Sequence, residues 1–259
     1  MSNLKLWFGD YENHYNGEGR LFLSGDDVEM IRKMESLYPK ILDEVSILWN
    51  NSQKNTSLYG DFDAFDDKQY PPNSWKKLVI KVWNLYNLRV ENYFPILFNF
   101  VQSHPEISSC FITKTLPNSY IKPHCGETNG ILRLHLGLKI PSHSGEMCSI
   151  KMDTQIKDWE EGKAFGFIDA QQHEVWNKTN EERYILIIDV IRPEFRKLKN
   201  YICVRIITTQ LLFFSTAKFL GEKYIEKIPD LLITILSIIL YLPIIISTYI
   251  NNRFGLIKI

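Results

Sequence analysis

Two histidines, His124 and His173, are the residues of this 259-residue chain whose type and setting best suit chemistry. His124 lies shortly before the alternating run Ile131-Leu-Arg-Leu-His-Leu-Gly-Leu-Lys-Ile140, and His173 lies between Gly166–Ala170 and Arg183–Val190, both rich in apolar residues. The pair is a candidate metal site. In the alternating run the even positions are all apolar, while Arg133, His135, Gly137 and Lys139 fall on the other face, the period of a strand. Arg133 and His135 therefore project side by side, roughly 7 Å apart, a spacing that suits a small carboxylate. Arg183, ten residues past His173, is a further candidate anion holder. Taken singly, each residue has an ordinary explanation: a structural histidine, or a solvated arginine at the start of a strand. The weight lies in their combination.

The stretches that must position these residues read as short strands. Trp75–Trp83, Ser109–Leu116, and residues 131–140, 147–152, 163–168 and 183–191 are β-prone, with turns at 117–119, 142–145 and 178–182. That spacing predicts a mainly β domain, a sandwich or barrel. Ahead of it, Ser24 is placed to cap a helix, and Val28, Ile31, Met34 and Leu37 recur at helical spacing. Pro39 interrupts, and Ile41, Val45 and Leu48 continue the face, which predicts two helical pieces packed on a sheet. Residues 50–73 are polar and read as a loop with a short strand near Leu58; Tyr93–Ser103 has helical spacing.

Charged residues balance at 30 and 30, which gives no steering toward nucleic acid, and 45% apolar content supports a buried core. Cys110, Cys125, Cys148 and Cys203 lack any CxxC spacing and read as free thiols in a reducing compartment. Met1–Asp10 lacks the apolar core of a signal peptide.

The joint pattern His124-x-Gly126, Arg133-x-His135-x-Gly137-Leu138, His173-Glu-Val-Trp-Asn177 and Arg183 resembles the aspartyl/asparaginyl β-hydroxylase family of iron- and 2-oxoglutarate-dependent dioxygenases, across residues 111–193. The resemblance implies a double-stranded β-helix, a cupin-like jelly roll. It implies that His124 and His173 bind Fe(2+), with glycine at 126 where a ligating carboxylate is more usual; Glu127 stands one residue off that place. It further implies that Arg183 holds the C5 carboxylate of 2-oxoglutarate, that Arg133 and His135 lie over its C1 end, and that Thr113 stands where the family places a serine hydroxyl. The family tends to carry two acids before the second histidine; here Ile168 replaces the first, and Asp169 remains as an orienting partner. The implied reaction consumes 2-oxoglutarate and O2, yields succinate and CO2, and hydroxylates an unactivated C–H. The β-carbon of Asp or Asn in a peptide or protein is the first expected substrate and a lipid A-like acyl chain the second; a non-catalytic β-sandwich binding protein is the reading from another class.

The expected organisation is a helical support region over residues 1–107, the catalytic core over 108–195, and a C-terminal hydrophobic helical segment over 201–259. Leu231–Asn252 holds no charged residue and as helix would rise roughly 33 Å, enough for a bilayer core. Pro243 would kink it. Ile202–Leu220 is apolar but broken by Arg205 and Lys218, suiting a membrane surface or a re-entrant hairpin. Lys218, Lys223 and Lys227 precede the span, and Arg253 and Lys258 follow it. The bias predicts a tail-anchored membrane protein with its catalytic domain facing the cytoplasm.

Overall fold

A computed structural model describes residues 4–9, 15–17, 19–50, 60–61, 75–142 and 145–255. Most of the polar stretch 50–73, including the strand expected near Leu58, lies outside the described residues. In chain order the elements are α1 (Glu29–Asn50), β1 (Gly60–Asp61), β2 (Trp75–Val82), β3 (Leu85–Tyr86), α2 (Pro95–Ser103), β4 (Ile107–Thr115), β5 (Ser119–His124), β6 (Ile131–Lys139), β7 (Cys148–Met152), β8 (Gln155–Asp158), β9 (Ala164–Ile168), β10 (His173–Asn177), β11 (Arg183–Ile191), α3 (Lys199–Leu220), α4 (Asp230–Ile239) and α5 (Tyr241–Phe254).

The strands form two antiparallel sheets. The larger runs β1-β2-β4-β11-β6-β9, with β3 beside β2; the smaller runs β5-β10-β7-β8. This is the double-stranded β-helix, cupin-like architecture, flanked by N-terminal and C-terminal helices. The large sheet draws on β2 and β3 as well as on the core strands, so the segment ahead of residue 108 contributes strands beside its helices.

The alternation in β6 decides what each face does. Leu132, Leu134, Leu136 and Leu138 pack outward with Ile112, Leu186 and Ile188 under α1 and α2. The opposite face of the large sheet meets the smaller sheet over Phe111, Phe165, Phe167, Ile185 and Ile187, with Ile150, Met152 and Val175 from across the sandwich. Arg133 and His135 thus point into the sandwich, not into solvent. α1 is one helix, not two: Met30, Ile31, Met34, Leu37, Ile41, Val45 and Leu48 form one buried stripe that runs past Pro39. Pro39 sits on the exposed side. Its lost backbone bond costs about 3 kcal/mol, less than the burial of that stripe contributes at roughly 1.5–3 kcal/mol per large apolar side chain.

The two ends of the sandwich differ. At one end β2, β9 and β11 finish while β4 and β6 begin, with Arg133 opposite Asp189 and Phe167, and Asp189 opposite Ser109. The short connections 125–130 and 169–172 carry the chain from His124 into β6 and from β9 into His173, so both histidines belong to this end. At the other end Asn177 closes the turn: its Nδ2 donates to Leu116 O (3.1 Å) and Glu181 O (2.8 Å), and its Oδ1 accepts from Thr179 Oγ1 (2.7 Å).

The C-terminal helices attach at the histidine end. Ile202, Cys203 and Ile206 of α3 pack on Trp83, Ile131 and Ile191, and Asn252 of α5 bonds the backbone of Tyr86 and Asn84. Residues 193–220 form a helix long and apolar enough to cross a bilayer by length and composition. The stretch 231–252 is not one kinked helix. It breaks at Leu240, where α4 and α5 meet at 60°; Pro243, in the first turn of α5, has no N–H to bond Ile239 O, so the kink expected from it is a full break between two helices.

Candidate active site

His124 ends β5 and His173 begins β10, and strand register sets them directly opposite. Their ring centroids lie 4.2 Å apart. His124 Nδ1 lies 2.8 Å from Lys122 O, and His173 Nδ1 lies 2.8 Å from Gln171 O. A carbonyl only accepts, so each Nδ1 carries the proton, and in the neutral ring the lone pair falls on Nε2. Burial holds both rings neutral: it lowers His124 to about 4 and His173 well below the ordinary histidine range, where the neighbouring His124 adds to the effect. Two neutral imidazoles with fixed tautomers are a ligand pair for a borderline metal ion. Among the described residues no third His, Cys, Asp or Glu completes a cluster with them.

The glycine two residues after His124 has a steric cause. Gly126 N donates to Asp169 O at 2.8 Å, and a Cβ on Gly126 would overlap the Asp169 carboxylate. A ligating carboxylate on residue 126 has no room. Asp169 in turn is fully buried, with Oδ1 2.6 Å from Arg133 Nη1. That pair makes a charge contact without hydrogen-bond alignment, because neither carboxylate oxygen has a hydrogen-bond partner. Burial pushes Asp169 up to about 8 against the pull of Arg133.

Arg133 is engaged on its other side too. Its Nε and Nη2 donate to the two oxygens of Asp189 at 2.8 and 3.0 Å, a bidentate pair. Its guanidinium is already matched by the bidentate Asp189 carboxylate, so a further carboxylate there would meet like charge. This separates Arg133 from His135 and Arg183, with which the sequence grouped it.

At the closed end the situation is the reverse. Arg183 is 2% exposed, and among the described residues no carboxylate pairs with it. Nη2 donates to Thr115 Oγ1 at 2.8 Å, Nη1 approaches Cys148 Sγ at 4.0 Å, and the guanidinium lies 3.9 Å from the centre of the Trp159 ring. Its Nε has no partner, and neither does Thr113 Oγ1 or His135 Nε2. These orphaned atoms come from three adjacent strands, β11, β4 and β6. His135 Nδ1 accepts from Trp159 Nε1 at 3.3 Å, which leaves its proton on the orphaned Nε2. A buried cation with unmatched donors around it is strongly destabilising unless an anion arrives. The donor set fits one end of a small dicarboxylate, and the histidine pair fits a metal at the mouth.

Sequence reasoning placed His124, His173, Thr113, His135 and Arg183 where the structure gathers them inside one sandwich. It did not find Asp189, hidden in an apolar strand, nor Thr115 and Cys148 beside Arg183. Trp159 reads as a core aromatic, and it is one, but it also faces Arg183 and fixes the His135 tautomer.

The family model for aspartyl/asparaginyl β-hydroxylase matches residues 35–193. An ornithine lipid ester-linked acyl 2-hydroxylase of Rhizobium tropici is 39% identical over 93 residues, 36% of this chain and 33% of that protein. The human aspartyl/asparaginyl β-hydroxylase is 30% identical over 171 residues, 64% of this chain and 21% of that protein. The chain therefore spans a third or less of these relatives' lengths. A prolyl-4-hydroxylase structure from Pseudomonas putida aligns with TM-score 0.38 and 13% identity, over 58% of this chain and 87% of that one. The match to more than half of its length makes this chain a member of the aspartyl/asparaginyl β-hydroxylase family, a family of 2-oxoglutarate- and Fe(II)-dependent hydroxylases.

Proposed function

We propose that this chain hydroxylates an unactivated C–H, with Fe(2+) held by His124 and His173 and with 2-oxoglutarate anchored at Arg183. The buried Arg183 guanidinium without a carboxylate partner carries the reading. Iron with 2-oxoglutarate and O2 supplies the oxidising power when bound, and the protein supplies binding, orientation and water exclusion. Arg183 and the Thr113 hydroxyl would hold a carboxylate of the co-substrate, and the proton on His135 Nε2 would be a further donor to it. Lys122 O and Gln171 O hold the two metal-binding imidazoles in one tautomer. Arg133 acts as a positioning residue: it fixes Asp169, whose carboxylate packs on Gly126, and so sets the approach of the 125–130 connection to the metal pair. Trp159, Phe165 and Phe167 line the interior around His135 and keep water from it.

A lipid acyl chain is the favoured substrate over a peptidyl Asp or Asn. The observation behind this preference is the bank of exposed apolar side chains on α3, α4 and α5 at the histidine end, in keeping with the Rhizobium relative. The free thiols Cys110, Cys125, Cys148 and Cys203 suit a reducing, cytoplasmic face of a membrane.

The test is turnover of 2-oxoglutarate by detergent-solubilised protein with Fe(II) and ascorbate, with mass spectrometry of added lipid and peptide extracts. Succinate formation with a gain of one oxygen in the lipid fraction is expected. Oxygen gain in the peptide fraction alone would move the substrate to Asp or Asn. Absence of 2-oxoglutarate consumption, with His124→Ala and His173→Ala retaining as much iron as the parent, would sink the enzyme reading and leave a binding protein.

A further inference from the structure

Helix α5 is inside out, and α3 and α4 add exposed apolar faces to its own. In α5 the buried positions are Thr248 and Asn251, while Leu242, Ile246, Tyr249, Ile250 and Phe254 are exposed; Tyr249 is 73% exposed and Asn251 only 1%. The inward asparagines hold the helix to the domain: Asn251 Nδ2 donates to Tyr86 O at 3.1 Å, and Asn252 Nδ2 donates to Asn84 O at 2.9 Å. In α4, Ile233 and Ser237 are buried, while Leu231, Ile235, Ile238 and Ile239 are exposed. In α3, Arg205 and Thr208 turn inward, Arg205 pairs with Asp230 of α4, and Leu211, Phe219 and Leu220 face out. A helix on a water-facing surface shows the opposite pattern.

The lengths exclude a simple crossing in this arrangement. α4 and α5 rise roughly 15 and 21 Å, against about 30 Å of hydrocarbon, and they meet at 60°. α3 is long enough in total, but Ile202–Ile206 and Thr208 are buried, with Ile202, Cys203 and Ile206 packed on Trp83, Ile131 and Ile191. Its part beyond Thr208 rises only roughly 18 Å. The rim of the apolar surface has interfacial character. Exposed Lys218 lies near the Phe214 and Phe219 rings, and Lys223 and Lys227 each lie 5.2 Å from the Tyr224 ring centre. Arg253 is exposed at the end of α5. Long cationic side chains laid over aromatics at the edge of an apolar face place their heads at headgroup depth. With Glu222 and Glu226 between them, these cations leave a small positive excess.

We infer that α3, α4 and α5 form an in-plane bilayer dock, entering one leaflet without spanning it, which seats the sandwich with its His124/His173 end at the lipid surface. The dock stands independently of the chemistry proposed above; only its use in delivering a membrane-borne substrate rests on that reading. The end of the sandwich that α3 and α5 hold is the end at which both histidines lie, so the surface that meets lipid and the mouth of the site share one side of the molecule. This replaces the single tail-anchoring span expected from residues 231–252 with a broken, in-plane one.

The experiment uses the full chain added from outside to preformed vesicles of phosphatidylcholine, with or without phosphatidylglycerol. Flotation with both is expected, with about thirtyfold stronger binding to the anionic vesicles from roughly two net positive charges at the surface. Lys227→Cys and Arg253→Cys, each in a Cys125→Ala background, are then labelled with a membrane-impermeant maleimide. An in-plane dock leaves both thiols reactive from the outside. Protection of the residue-253 thiol alone would establish a span and overturn the inference. A chain that does not float and is instead a detergent-free dimer would show that a second copy covers the face, with the same consequence. Neither result depends on iron, 2-oxoglutarate or turnover.

Discussion

Strand β6 and helix α5 both turn polar side chains inward and apolar ones outward, yet the two inversions end differently. In β6, Leu134 and Leu136 point away from the sandwich interior and are covered completely by α1 and its neighbours. In α5, Ile246 and Tyr249 point away from the domain and no part of the described chain covers them. The inward groups differ as well. Asn251 and Asn252 meet backbone carbonyls and are satisfied, whereas the inward face of β6 and its neighbours leaves His135 Nε2, Thr113 Oγ1 and Arg183 Nε unmatched. Polar groups turned inward are structural where their bonds close and functional where they do not; apolar groups turned outward need a cover, a helix in one region and a bilayer in the other.

The comparison breaks most severely at Arg183. Arg183→Met is expected to weaken 2-oxoglutarate binding by about a thousandfold, the usual cost of removing one side of a buried charge pair, and to raise the stability of the ligand-free protein by roughly 1–3 kcal/mol, because an unmatched buried cation is gone. Calorimetric titration and thermal unfolding read the two effects. A variant that binds normally would show that the guanidinium is only structural. Next in size is Leu134→Ala, on the covered face of β6, which is expected to cost about 3 kcal/mol from lost burial and an unfilled cavity, measured by urea unfolding.

Much of this arrangement was legible in the sequence. Period-two alternation marked β6, β-prone content marked β2, β4, β7, β9 and β11, and the spaced pattern singled out His124, His135, His173 and Arg183, which the sandwich carries on its strands. What the pattern concealed is instructive. β5 and β10, which carry the histidines, are short and half polar, so neither reads as a strand alone. Pro39 signals a break that burial overrides. The grouping of Arg133 with the anion holders failed to anticipate its occupation, because Asp189 sits in the apolar run Ile185–Ile191 and its partner is fixed only by cross-strand register. The bend at Leu240 does have a residue signal, Pro243, which cannot bond Ile239 O and so ends α4 there; its sharpness of 60° is what the pattern did not carry.

A smaller effect is expected from Lys81, an inward cation whose bonds do close, to Ile107 O at 2.9 Å and Tyr86 Oη at 3.1 Å. Burial lowers its ammonium from 10.5 to about 7. Between those values the unfolded chain binds more protons than the folded one, so stability rises with pH across that window; below about 7 the group is charged in both states and the penalty is complete. Between about pH 7 and 8.5 the rise is expected to reach roughly 2 kcal/mol and to flatten in Lys81→Met. Lys77, which burial lowers to about 8, and Lys199 add to the rise, while the thiols Cys110, Cys125, Cys148 and Cys203, raised by burial, oppose it, so the reading is the difference between parent and variant. An unchanged slope in Lys81→Met would show that the group stays solvated.

The smallest effect on folding is the one that tests the outward face of α5. Ile246 is exposed and belongs to the stripe that faces away from the domain, so Ile246→Gln in detergent is expected to shift stability by no more than about 0.5 kcal/mol. Asn251, one and a half turns away and turned inward, is the matched control: Asn251→Leu removes the bond to Tyr86 O and should cost about 1–2 kcal/mol. Vesicle flotation is expected to rank the two variants in the opposite order, with Ile246→Gln losing affinity and Asn251→Leu keeping it while folded. If Ile246→Gln were the more destabilising of the two and floated normally, the exposed stripe would be part of a protein core and the contrast between β6 and α5 would collapse.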